Sequence, residues 1–139
     1  MNTKTLELKR QFILNKIVIG IDPAKRKHQV AILDENGIQQ GKSFSFENSF
    51  DGYSNLWSKL NLRGIEVNEK NMVFAVETSC NLWQNITFYL YSKGFHVVLV
   101  SPLKTYHSRA VINNDFSRTD PKDALCIASS ARQGYFNFY

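Results

Sequence analysis

Cysteine is scarce in this sequence: two occur among 139 residues, Cys80 and Cys126, and neither falls in a CxxC or Cys/His spacing. Both a disulfide framework and a zinc site are thereby disfavoured, and buried free thiols are expected. Histidine is nearly as sparse, and His28, His96 and His107 are too scattered to suggest a ligand set. Structural or exposed roles are expected for all three. Long apolar runs are also missing, because Phe12 to Leu14 in the opening MNTKTLELKRQFILNK is too short for a signal peptide or a membrane span. A cytoplasmic protein is expected. No internal repeat, low-complexity tract or linker divides the chain.

What is present is globular in character: 43% of residues are hydrophobic and 13% aromatic against 21% charged. A chain of this length can bury about 68 to 70% of its unfolded surface, enough for one core. Lys and Arg outnumber Asp and Glu by 17 to 12, a formal charge of +5 that favours a polyanionic partner.

The strongest element is KIVIGID, a β-branched strand in which alternation puts Val18, Gly20 and Asp22 on one face, with Pro23 closing it. His28 to Leu33 predicts a second strand and Ile38 to Phe46 a third, joined through the hairpin pair Asn36-Gly37. Ser49 is placed as the N-cap of a helix that carries Phe50, Tyr53, Leu56, Trp57 and Leu60 on one face. A fourth strand, Met72 to Val76, ends in Glu77, and a helix from Asn81 to Lys93 stops at Gly94. A fifth strand runs from Phe95 to Val100. Leu103 to Ile112 is read as a short helix and Asn113 to Arg118 as a loop. Thr119 then caps a last helix with Ala124, Ile127, Ala128 and Ala131 as its buried stripe. Three strands in a meander followed by helix, strand, helix, strand and helix is the order of an RNase H-like mixed α/β sheet. The expected division is an N-terminal extension over 1–15, one domain over 16–134, and the start of a continuation over 135–139.

Three of these elements deliver acids at their ends: Asp22 closes the first strand, Glu77 the fourth, and Asp120 and Asp123 share the first turn of the last helix. Carboxylates brought together repel unless cations neutralise them, and hard oxygen donors select Mg²⁺ or Mn²⁺. Two such ions can stabilise both oxygens of an in-line phosphoryl transfer. Each acid also has a plainer role open to it, as a turn residue for Asp22 and as helix-start acids for the others. The case rests on their joint placement.

The stretches VIGIDPAKRKHQVAILDENG, FAVETSCNLWQNITFYLYSKGFHVVLVSPLKTYHSRA and RTDPKDALCIA resemble the DEDD-type transposases and site-specific recombinases of the insertion-sequence one-ten group, relatives of the Piv DNA invertases. The N-terminal domain of that family is similar to the Holliday-junction resolvase RuvC. The TDxxDA segment, with Val97, Val100 and Pro102 spaced upstream, is its most specific part. The resemblance implies that Asp22, Glu77, Asp120 and Asp123 bind Mg²⁺ or Mn²⁺ for DNA strand cleavage and exchange. It also implies a structured guide RNA, DNA and further copies of the protein as partners, and a serine nucleophile on a C-terminal domain beyond this chain.

Lys25, Arg26 and Lys27 directly follow Asp22 and are candidates for phosphate contact, as are Lys104, Arg109, Arg118 and Lys122 around the last helix. The leading expectation is therefore a metal-dependent DNA transposase or recombinase. The alternatives are a Holliday-junction-resolvase-like nuclease, or a nucleic-acid-binding or dimerisation module that does not catalyse. An actin-like or sugar-kinase ATPase fits poorly, since no Gly/Ser/Thr phosphate loop follows Asp22.

Overall fold

The computed structural model describes residues 3–79, 81–102 and 120–139, without the side chains of 120–122. Strand β1 (Ile17–Asp22) runs antiparallel to β2 (Lys27–Leu33), which pairs antiparallel with β3 (Phe44–Glu47). On its other side β1 pairs in parallel with β4 (Met72–Glu77), and β4 in parallel with β5 (His96–Val100). A two-residue strand, β6 (Asn137–Phe138), adds antiparallel to β5, giving the order β3-β2-β1-β4-β5-β6. The mixed sheet is flanked by helices α1 (Thr3–Ile13), α2 (Phe50–Leu62), α3 (Gln84–Ser92) and α4 (Asp120–Arg132).

Every residue of β4 is buried, as a central strand covered on both sides requires. Strand parity sorts the core into two layers. Ile19, Ile21, Phe74 and Val76 face α2 and α3, where Leu56, Leu60, Ile86 and Leu90 complete the cluster. Val18, Val73, Ala75 and Val98 face the opposite way, against Ile13 of α1 and Ile127, Ala128 and Ala131 of α4.

Three local details differ from the expected elements. The Asn36-Gly37 turn forms, with Asp34 Oδ1 accepting from the backbone N–H groups of Asn36 and Ile38, both at 2.9 Å. The third strand nevertheless starts late: Gln39 makes a single bridge to Leu33, Gly41 then turns into the left-handed region at φ +72°, and pairing resumes at Phe44. Ser49 caps α2 through its Oγ, which accepts from Gly52 N at 3.1 Å, but Phe50 stands 83% exposed instead of joining the buried face. Helix α3 begins at Gln84, after a turn over 81–83 that offers no side-chain cap.

Helix α4 crosses the sheet antiparallel to β1. A Cβ at Gly20 would lie 2.3 Å from Ala124 O and 2.8 Å from Ala128 N, so the glycine permits backbone-to-backbone approach. At the far end of the helix Arg132 donates to the carbonyls of Ile13, Lys16 and Asp34 at 3.2, 2.7 and 2.6 Å. This clamp fixes the start of β1 and the β2–β3 turn to one helix.

Candidate nucleic-acid interface

The carboxyl ends of β1 and β4 lie side by side, because Ile21 is in register with Val76 and the next residues are Asp22 and Glu77. Parity turns both toward α4, with Gly20 and Ala75. Asp123 directly precedes Ala124, the residue seated over Gly20. Three of the four expected acids therefore reach one end and one face of the sheet.

They do not assemble a metal centre. Among the described residues no group of three or more His, Cys, Asp or Glu is placed to hold an ion. The expectation of Mg²⁺ or Mn²⁺ as a cofactor held by a cluster of these acids is thus corrected. With it goes the expectation of a metal-dependent DNA transposase or recombinase enzyme. The three carboxylates sit at different depths at that end of the sheet: Glu77 is 1% exposed and Asp123 3%, whereas Asp22 is half-buried. Ser79 Oγ donates to Glu77 Oε1 at 3.2 Å, whereas Glu77 Oε2 is buried with no partner. Asp120 begins α4, but its side chain lies outside the described residues.

Beside these acids the chain leaves β1 through Pro23 and Ala24 into a basic loop of Lys25 and Arg26 that ends on Lys27, the first residue of β2, and all three side chains are exposed. Backbone contacts hold this basic loop in place. Asn48 Nδ2 donates to Lys25 O at 3.1 Å and Asn48 N to Arg26 O at 2.8 Å. Ala24 N donates to His28 Nδ1 at 3.1 Å, which requires that nitrogen to be unprotonated. His28 is fully buried beside the rings of Phe46 and Tyr53, and burial lowers its pKa, an effect partly offset by the Asn48 side chain. Tyr53 donates its hydroxyl to Asn48 Oδ1 at 2.5 Å, and burial raises the pKa of that phenol.

Of the other basic candidates, Lys104, Arg109 and Arg118 lie outside the described residues, as does the Lys122 side chain. His28 and Asn48 escaped the sequence reading as contributors to the interface. The available signal was slight: a histidine two residues past a basic triplet, and an asparagine just before a helix cap.

Residues 19–139 match the family DEDD_Tnp_IS110, described as a transposase. Two solved structures are similar in fold. One is T. thermophilus RuvC in complex with Holliday junction substrate, with a TM-score of 0.56 and 15% identity over 89% of this chain and 99% of that one. The other is a Thermus thermophilus RuvC structure, with a TM-score of 0.53 and 16% identity over 88% and 99% of the two chains. These likenesses establish the RNase H-like fold that the element order predicted, in the RuvC-like form that the family resemblance implied. Among curated proteins none matches the chain at a significant level.

Proposed function

The chain belongs to the transposase family DEDD_Tnp_IS110, and from that premise we propose that it is a RuvC-like nucleic-acid-binding domain whose loop Lys25 to Lys27 grips phosphates beside the ends of β1 and β4. The observation that carries this reading is the loop itself. Its three cations face water while Asn48 and His28 hold the backbone beneath them, so little ordering remains to be done on binding. A net charge of +5 supplies long-range attraction to a polyanion.

DNA is the partner favoured by the family's transposase description, and the RuvC neighbour is itself recorded with a Holliday junction. A structured RNA and further copies of the chain are the additional partners we infer, from the resemblance of the motifs. No helix among the described residues is long and apolar enough to cross a bilayer.

The test is fluorescence anisotropy with a four-way DNA junction and a structured RNA, comparing the chain with its Lys25→Ala/Arg26→Ala/Lys27→Ala variant across salt. Each phosphate contact removed should lower the slope of log affinity against log salt by about 0.9 on duplex DNA. A loss of about two to three in slope, with affinity down at least roughly tenfold, is expected. An unchanged slope would remove the loop from the interface and overturn the assignment.

A further inference from the structure

A cavity of about 560 Å³ opens between the first turn of α2 and the outer side of α3, away from the acids. Its lining is unusual for a surface exposed to water. Phe50 is 83% exposed and Phe88 65%, and these rings, from two different helices, line the same opening. Tyr53 and Tyr89 line it as well, with their ring centroids 5.0 Å apart. Clustered exposed rings of this kind mark a binding surface, whereas isolated ones do not.

We propose that this groove receives the unpaired bases of a single-stranded stretch of nucleic acid. The inference rests on the nucleic-acid reading of the basic loop and extends it. Flat aromatic rings stack on bases of any identity, which is how single strands are held without sequence readout. A duplex cannot use such a groove, because its bases are already stacked inside it. The polar lining suits the same occupant. Asn85 is exposed and offers an amide donor and acceptor to a base edge, and Lys93 supplies a cation for the adjoining phosphate. No carboxylate lines the groove.

Asn48 joins the two surfaces. It lines the groove, and its side-chain Nδ2 and backbone N donate to the carbonyls of Lys25 and Arg26. A strand with its phosphates on the loop therefore has the groove as its next neighbour.

The experiment uses the whole chain and a Phe50→Ala/Phe88→Ala variant. Both rings lie in solvent, so the variant should keep the thermal melting profile of the parent. The probes are short single strands of DNA and of RNA carrying 2-aminopurine, together with the matching DNA duplex. Stacking should quench the 2-aminopurine on binding. The variant should bind single strands roughly five- to hundredfold more weakly, with duplex affinity unchanged. The DNA and RNA arms identify which strand is preferred.

Unchanged single-strand affinity in the variant, while the loop substitutions still weaken binding, would overturn the groove and leave the loop assignment standing. Loss of self-association without loss of strand binding would give the groove to a second copy and overturn it too. Failure of the parent chain to bind any of the probes would overturn both readings.

Discussion

The two faces of the sheet are packed by different means. On the α4 face the helix backbone rests on Gly20, and small residues, Ala75, Ala124 and Ala128, keep the layers close. Two carboxylates, Glu77 and Asp123, are buried in that layer. On the α2/α3 face rings fill the space: Trp57 stacks on Phe95 at 4.9 Å, and Phe74 meets Phe95 edge-on at 5.4 Å. Trp57 also donates its Nε1–H to the Tyr89 hydroxyl at 3.1 Å. Close backbone contact fixes the position of α4 and with it Asp123. Ring packing leaves adaptable aromatic edges, and some of them continue outward into the groove.

Truncation and overpacking test this contrast from opposite sides. Phe74→Ala, at a fully buried position among Trp57 and Phe95, should destabilise the domain by about 3 to 5 kcal/mol, read as a lower urea midpoint. That is the largest effect expected of a single substitution here. Gly20→Ala adds one methyl against Ala124 O, a backbone atom that moves only if the helix moves, and should cost about 1 to 3 kcal/mol. A neutral Gly20→Ala would mean that α4 slides freely over β1, and the contrast between a rigid and an adaptable face would fail.

Much of this architecture was legible in the sequence because strand parity and helical spacing report burial directly. Ile17 to Asp22 and Met72 to Glu77 form strands with the predicted bounds or nearly so, and Ser49 caps its helix as read. The late start of β3 follows the polar stretch Gln39 to Ser43, in which Gly41 turns into the left-handed region and apolar alternation begins only at Phe44. Helix α1 and strand β6 were not assigned at all. Both depend on tertiary partners: Phe12 packs on Phe136 and Phe138, and Arg10 Nε donates to Gln133 O at 2.8 Å. At the interface, the sequence could place Asp22 and Glu77 at strand ends. It could not show that Glu77 and Asp123 turn inward, because burial of an acid depends on how closely a helix from elsewhere in the chain approaches. Phe50 illustrates the converse, having the spacing of a core residue and the exposure of a surface one.

The smallest effect expected concerns the titratable group buried on the ring-packed face. His28 accepts from Ala24 N in its neutral form, and burial holds its pKa below the ordinary 6.5. The unfolded chain therefore binds more protons at this site than the folded one, so stability rises with pH through this window. The contribution is fully present above about 6.5 and declines as pH falls below it toward the lower folded value. The slope from one such group is at most about 1.4 kcal/mol per pH unit. Urea unfolding at pH 7.5 and 5.5 measures it, beside His28→Gln, whose side-chain oxygen can still accept from Ala24 without titrating. The variant should lose less stability on acidification than the parent while keeping the affinity of the basic loop for DNA at neutral pH. Equal losses in the two proteins would show that the acid sensitivity resides elsewhere than at His28.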